Sequence, residues 1–256
     1  MCSSSWYDAF YEAVEKSKAY AAYCVKAFGY DFSQQGFSDL RQIGFMLDKV
    51  HLRPGQKVLD IGCGNGKMVE YIADVCGVSG DGFDISAVAI EAARRRTAGK
   101  EDKLTFHAGS INEMQYGEES FDAVLSVDTL YFADDMNGII REILHWLRPG
   151  GYFAAFFSEF RFTKDDPLEK LTPDGTGLAR ALKEEQIPYD VYSFTEGHYG
   201  VMQRKRKVLS GMRHAFEAEG TEMLYDNAFV ESIDKYMRFE EFQGFSARFL
   251  YVVKKA

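Results

Sequence analysis

The stretch that most constrains this 256-residue chain is Val58 to Met68, Val-Leu-Asp-Ile-Gly-Cys-Gly-Asn-Gly-Lys-Met. An apolar run ends in an acid, Asp60, and breaks into glycines at alternate positions, Gly62, Gly64 and Gly66, before an amphipathic stretch carrying Met68, Val69, Ile72 and Ala73. That order is strand, tight turn, helix. Glycines in such a turn let the backbone take positive φ and let a ligand lie against it with no Cβ in the way. Their spacing separates two ligand chemistries. A dinucleotide fingerprint has the form G-x-G-x-x-G and seats a pyrophosphate on the helix N-terminus; the form here is D-x-G-x-G-x-G. A carboxylate aimed into a phosphate site is repelled, whereas one beside the ammonium of an amino-acid-like ligand is attracted. The pattern favours a ligand with a cationic group.

Strand and helix signals alternate downstream. Val78 to Phe83 reads as a second strand ending at Asp84, with Ser86 capping a helix through Arg96. An acid at that strand tip, 24 residues past Asp60, is placed to accept both hydroxyls of a ribose, as in NAD enzymes also, and Ile85 beside it can pack on an adenine face. Leu104 to Ala108 is a short third strand, followed by Gly109-Ser110-Ile111-Asn112. Phe121 to Val127 is a fourth, apolar on both faces as a central parallel strand should be, and it runs into Asp128-Thr129-Leu130-Tyr131-Phe132. Asn137 to Leu147 reads as an amphipathic helix stopped by Arg148-Pro149-Gly150-Gly151, with a fifth strand over Tyr152 to Phe157.

The acid and glycine loop, Phe121-Asp122, and the phrase Leu147-Arg148-Pro149-Gly150-Gly151 ahead of an apolar strand resemble the class I S-adenosylmethionine-dependent methyltransferases of small-molecule type. The resemblance extends loosely to the ubiquinone/menaquinone and phosphoethanolamine methyltransferase groups. It covers about residues 50 to 157 firmly and the flanks only loosely. It implies an α/β, doubly wound, seven-stranded, mostly parallel sheet with an antiparallel last strand, plus N-terminal and C-terminal helical caps. It also implies S-adenosyl-L-methionine as cofactor and S-adenosyl-L-homocysteine as product. The positions that would hold them are Asp60, Gly62, Cys63 and Gly64 in the loop, Asp84 and Ile85 after the second strand, Ser110 and Ile111 after the third, and Val127 at the end of the fourth. The family usually carries an acid at Ser110, so the adenine contact is weaker here than the ribose contact. In similar enzymes the N-terminal segment folds over the cofactor, which would bring Tyr20 and Gln35 near the methyl donor.

Residues 1–50 read as an N-terminal helical cap, with apolar positions recurring at Phe10, Val14, Ala21, Cys24 and Phe28, and again at Leu40, Ile43, Leu47 and Val50. Between them, Tyr30 to Phe37 is either an aromatic-anchored connector or a lid. Residues 51–195 form the expected SAM-binding Rossmann-like core, including a helix opened by Thr172-Pro173 and a sixth strand over Tyr189 to Phe194. Residues 196–245 read as a helical insertion, with stripes at Val208, Met212 and Ala215 and at Val230, Ile233 and Met237; residues 246–256 supply the last core strand. A sixth strand parallel to the others ends on the ligand face, which puts the insertion above the active site. Two caps over one pocket imply a small, buried substrate.

Methyl transfer from a sulfonium is an in-line displacement, so a protein has mainly to align the reactants and exclude water, with a base only where the nucleophile arrives protonated. The expected catalytic residues are Tyr131, His198 and Glu196, with Asp128, Glu159 and Tyr199 as further polar candidates. His198 has a suitable ordinary pKa for a base, or is a loop histidine in solvent; Tyr131 faces the reacting centre, or starts the next helix. A net charge of −9 repels a phosphate backbone, so nucleic acid is not expected as a partner. The one basic run, Arg204 to Lys207, reads as a solvated helix face or a seat for an anionic group. Cys2, Cys24, Cys63 and Cys76 show neither metal-ligand nor disulfide spacing, which fits no metal and a reducing cytoplasmic setting. No apolar run reaches membrane-spanning length, and a homodimer is compatible with the sequence without being demanded by it. No Asp/Asn-Pro-Pro-Tyr/Phe follows the fourth strand, which further points to a small metabolite as methyl acceptor. Two other functions compete: a SAM-binding regulatory or partner-binding module without catalysis, and a nicotinamide oxidoreductase, which the glycine spacing opposes.

Overall fold

A computed structural model of the chain describes residues 4–256, so Cys2 lies outside the described residues. The sheet is built outward from β1 (Lys57–Ile61), whose side chains alternate between two faces: Val58 enters one apolar cluster, and Leu59 and Ile61 the other. β4 (Phe121–Val127) divides in the same way, Val124 to one side and Leu125 to the other, which is why its sequence is apolar throughout. Among the described residues, these two strands join β2 (Ser79–Asp84), β3 (Leu104–Ala108), β5 (Leu147–Phe160), β6 (Asp190–Ser193) and β7 (Ser246–Lys254) in one sheet of order β3-β2-β1-β4-β5-β7-β6. β7 runs antiparallel to β5 and β6, and the other neighbours are parallel. The doubly wound, seven-stranded architecture expected from the sequence is the one observed. Strand order reverses between β1 and β4, and in open α/β sheets ligands bind in the crevice outside the carboxyl ends at that point.

One face of the sheet is covered by α6 (Met136–Trp146) and α7 (Gly177–Glu184), the other by α3 (Leu40–Val50), α4 (Lys67–Cys76) and α5 (Ala87–Arg96). The N-terminal apolar stripe is broken into α1 (Ser4–Lys16) and α2 (Lys18–Phe28) rather than running as one helix. Ser17 sits between them with extended backbone; its hydroxyl accepts from Tyr20 N–H as the α2 cap and donates to Glu219. Likewise the helix expected at Thr172-Pro173 begins at Gly177, because Thr176 caps it while Thr172 closes a turn onto the Glu169 carbonyl.

The insertion comprises α8 (Thr195–Leu209), α9 (Arg213–Glu219), α10 (Glu222–Val230) and the short α11 (Phe239–Phe242). The Val230, Ile233, Met237 stripe is not a helix: Asp234 accepts from the N–H groups of Tyr236 and Met237 and turns the chain, leaving Val230 exposed. The basic run of α8 is a solvated face only in part: Lys207 is exposed, whereas the three residues before it are held by partners. Arg204 donates to the Ala27 carbonyl and pairs with Asp39, fully buried Lys205 pairs with Glu231 at 3.2 Å, and Arg206 binds Ser232 and the Phe229 carbonyl. Consecutive helical residues point about 100° apart, so these three cations fasten α8 to neighbours on different sides. Among the described residues no helix is long and apolar enough to cross a membrane.

Candidate active site

The carboxyl ends of β1, β2 and β4 meet the N-terminal helices around the glycine loop. Gly62, Gly64 and Gly66 all have positive φ (74°, 55° and 75°), and each is crowded. A Cβ at Gly62 would strike the Thr129 side chain, at Gly64 the Tyr11 hydroxyl, and at Gly66 Phe106 and Ala93. No other residue type meets both the dihedral and the steric demand. The loop is tied to β2 by the N–H groups of Gly62 and Cys63, both donating to the Phe83 carbonyl.

Asp60 closes β1 immediately before this loop. It is 1 % exposed, and neither carboxylate oxygen has a hydrogen-bond partner. Burial, reinforced by the nearby charge of Asp84, pushes its carboxyl up to about 7. Asp84 at the tip of β2 is differently placed: one oxygen accepts from Gly64 N–H and the other from Ser86 N–H, both at 2.9 Å. Burial still raises its pKa, against the lowering effect of those two bonds. α1 is fastened across this corner, because Asp8 accepts from the Ser86 hydroxyl at 2.7 Å and from Val88 N–H.

Asp60, Gly62, Cys63, Gly64, Val127 and Gln35 share one cavity of about 70 Å³, roofed by the 32–38 loop and by Tyr11 of α1. The remaining positions expected to hold cofactor lie around it. Ile85 is 44 % exposed beside Asp84. Ser110, whose hydroxyl accepts from Asn112 N–H, is half-buried at the end of β3. Ile111 is buried, and lines a second hollow of about 340 Å³ together with Asn112 and the acids Glu113, Asp135 and Glu142. Tyr20 is not at the cavity wall; it supports the loop from behind, donating to the Gln34 carbonyl at 3.0 Å. An orphaned carboxylate against a glycine cradle, with a second acid 24 residues on, fits a ligand with an ammonium at one end and a diol further along. Small-molecule pockets are typically ~300 Å³ or more, so a nucleoside-sized ligand requires Tyr11 and the loop to give way.

The three expected catalytic residues do not converge. Tyr131 donates its hydroxyl to Asp128 and accepts from Ser158 N–H, both at 2.9 Å. Burial and then the Asp128 charge push its pKa well up. His198 is fully buried on α8, not a solvent-exposed loop histidine. Its ring sits 4.6 Å from that of Phe37, 5.3 Å from Phe242 and 6.2 Å from Phe160, and neither ring nitrogen has a partner. Burial, followed by the charges of Arg248 and Lys205, holds it well below the usual histidine range. Phe37 stands between this imidazole and the cavity, since it lines the one and packs on the other. Glu196 is exposed in the first turn of α8 and does not line the cavity. Among the further candidates, Glu159 accepts from Gly177 N–H and pairs with Lys170, and Tyr199 donates to the Met237 carbonyl.

The sequence reading missed Tyr11, Ser38, Gln42 and Arg248. For Arg248 a signal was present: an arginine in the otherwise apolar run Ala247 to Val253 is an ion in a strand that must be buried. Tyr11 is one tyrosine of 15, with no pattern to distinguish it.

Residues 59–155 match a family described as a methyltransferase domain. Methyltransferase GfsG of Streptomyces halstedii is 32 % identical over 144 residues, covering 56 % of this chain and 52 % of its own length. Phosphoethanolamine N-methyltransferase 1 of Zea mays is 34 % identical over 190 residues, covering 74 % of this chain and 34 % of its own length. The chain thus spans about half of one relative and a third of the other. Among solved structures, phosphoethanolamine N-methyltransferase 2 of Haemonchus contortus, in complex with phosphomonomethylethanolamine and S-adenosylhomocysteine, superposes with a TM-score of 0.73 at 17 % identity, over 97 % of this chain and 60 % of that one. The [4+2]-cyclase SpnF superposes with a TM-score of 0.65 at 20 % identity, over 84 % and 80 %. At these identities the likeness is one of fold, and a fold that serves a cyclase as well as methyltransferases leaves the chemistry to the site.

Proposed function

We propose that the chain, whose residues 59–155 match a methyltransferase domain, transfers a methyl group from S-adenosyl-L-methionine to a small-molecule acceptor in the cavity roofed by the 32–38 loop and α1. When bound, the cofactor supplies a methyl on a cationic sulfur, open to displacement. The observation that carries the reading is Asp60: a buried carboxylate with no partner, at the head of a glycine cradle, lacks only the ammonium of an amino-acid-like ligand. Asp84 keeps acceptor capacity for the ribose hydroxyls while Gly64 and Ser86 fix its orientation. Ile85 and Ile111 offer apolar faces to the adenine. Gln35, Phe37 and Tyr11 exclude water from the reacting centre, which a displacement on carbon requires.

His198 is the residue we assign to proton removal from the acceptor. Its imidazole is held neutral by burial and the charges of Arg248 and Lys205, so a ring nitrogen keeps a free lone pair at neutral pH, and neither nitrogen has a hydrogen-bond partner to compete for it. The Phe37 ring lies between the imidazole and the cavity, so this role requires that side chain to rotate about its held backbone. Names carried by the relatives make phosphoethanolamine the first acceptor to test.

The experiment is a calorimetric titration of the full chain with S-adenosyl-L-methionine, S-adenosyl-L-homocysteine and NAD, followed by methyl transfer to a metabolite panel that begins with phosphoethanolamine. Micromolar binding of both adenosyl ligands without NAD supports the reading; binding of NAD alone refutes it. Binding of the adenosyl ligands with no transfer to any acceptor favours a regulatory module.

A further inference from the structure

Arg248 is the third residue of β7, with none of its surface exposed. All five donors of its guanidinium are used. Nε donates to Gln42 Oε1 at 3.0 Å; Nη1 donates to Ser158 Oγ at 2.6 Å and to one oxygen of Asp128; Nη2 donates to Ser38 Oγ at 2.5 Å and to the other Asp128 oxygen at 3.0 Å. Asp128 is equally saturated. Its first oxygen also accepts from the Tyr131 hydroxyl at 2.9 Å and its second from Phe37 N–H at 3.1 Å, which fills the four acceptor positions a carboxylate offers. No proton or lone pair of this pair is left for a ligand.

The hub joins elements at their ligand-facing ends and not through the core. Asp128 follows β4, and Ser158 lies near the end of β5. Ser38 and Phe37 belong to the loop that roofs the cavity, and Gln42 lies in the first turn of α3. Two local features show how closely the loop is held. Asp128 has φ 58°, in the left-handed region that non-glycine residues rarely adopt, and it turns its carboxylate toward the loop. A Cβ at Gly36 would come within 3.0 Å of that carboxylate, so the loop backbone lies directly on it.

We propose that Arg248 is a positioning residue: through Asp128 it clamps the 31–38 loop over the cavity and fixes the Tyr131 hydroxyl and the Phe37 backbone, which makes Asp128 a latch and not the base of the reaction. The clamp follows from the hub alone; its bearing on methyl transfer rests on the function proposed above. Arg248 does not itself line the cavity; it lies behind Ser38 and Asp128, which do. Its effect reaches the site only through Asp128 and Ser38.

Hydrogen–deuterium exchange of the ligand-free full chain, paired with the dissociation rate of S-adenosyl-L-homocysteine, tests the clamp. Arg248→Lys keeps the charge but offers three donors on a flexible stem in place of a rigid fork, and cannot hold Asp128, Ser38 and Gln42 together. Exchange over residues 31–39 is expected to quicken by about tenfold or more, with β1 and β4 unchanged, and the homocysteine ligand is expected to leave about tenfold faster. Ser38→Ala removes only the loop branch of the hub and leaves the ion pair intact, so it tests the clamp in a chain that folds; about threefold on both readouts is expected. A lowered melting temperature in both variants with no selective change over 31–39 would make Arg248 merely structural and overturn the proposal. If the wild-type chain binds no S-adenosyl-L-homocysteine, the proposed function fails, and the exchange measurement still decides the clamp.

Discussion

Replacing Asp60 with asparagine keeps the size and shape of the side chain and removes the charge that burial opposes. The carboxyl titrates near 3.8 when exposed and is pushed up to about 7 in the fold. At ~1.4 kcal/mol per pKa unit, the ionised form therefore costs the ligand-free protein ~4 kcal/mol. The direction in pH follows from the protons bound. Between about 4 and 7 the folded state holds a proton that the unfolded state has lost, so stability falls as pH rises through that window. The Asp60→Asn variant has no such dependence, and all other titrations cancel in the difference between the two chains. Relative to that variant, the wild type should lose ~2.5 kcal/mol between pH 5 and pH 8, or roughly 7 °C in Tm for a chain of this size. Urea unfolding at each pH measures it. The same substitution should abolish binding of S-adenosyl-L-methionine, because the carboxamide offers the ammonium no charge. A stability difference that stays constant from pH 5 to pH 8 would refute the argument, since it would mean that Asp60 does not carry its proton to neutral pH.

The remaining predictions concern the other groups around the cavity. Binding of S-adenosyl-L-methionine should tighten from pH 5.5 to 7.5 as Asp60 ionises, with proton release visible when calorimetry is repeated in buffers of different ionisation enthalpy; Asp60→Asn should remove the trend. Asp84→Ala should weaken binding by more than about tenfold, since it removes a charged acceptor, as equilibrium titration would show. His198→Phe fits the aromatic box and removes a group that resists protonation, so wild-type stability should fall relative to the variant as pH drops below about 6.5, where the unfolded histidine takes up a proton and the folded one does not. The same variant should retain cofactor binding by calorimetry and lose methyl transfer. Gly64→Ala should weaken binding by about tenfold or more, because its φ of 55° is strained for alanine and the cradle backbone must shift to relieve it.

The sheet was legible because its signals are local. Asp60 to Gly66, Phe121 to Val127 and the breaker at Arg148-Pro149 each declare a strand end within a few residues, and the order of those ends leaves few topologies. Three glycines whose neighbours forbid a Cβ read the same in the sequence as in the fold. What was not legible depended on distant partners. Ser17 breaks the N-terminal helix by holding Glu219, 202 residues away. Arg204, Lys205 and Arg206 look like a charged face until the Ala27 carbonyl, Glu231 and Ser232 are seen against them. The sequence offers His198 only the ordinary histidine pKa, whereas in the fold it is boxed by aromatic rings with neither ring nitrogen hydrogen-bonded, which no pattern along one chain reveals.

The buried polar groups around the cavity fall into two kinds, and the division separates binding from positioning. Arg248, Asp128 and Lys205 are satisfied by protein partners; removing one partner of such a set leaves the other uncompensated, which costs ~3–5 kcal/mol. Asp60 and His198 are buried with nothing to bond, and an unpaired buried polar group costs ~1–3 kcal/mol or more for a charge. A fold assembled for stability alone would bury leucine and phenylalanine in their places. Asp60 sits at the glycine cradle, and His198 packs on Phe37, which lines the cavity. In the function proposed above, their cost in the ligand-free protein is recovered when an ammonium and an acceptor proton arrive. The satisfied hub around Arg248 then has the complementary task of keeping the loop that carries Phe37 in register with both.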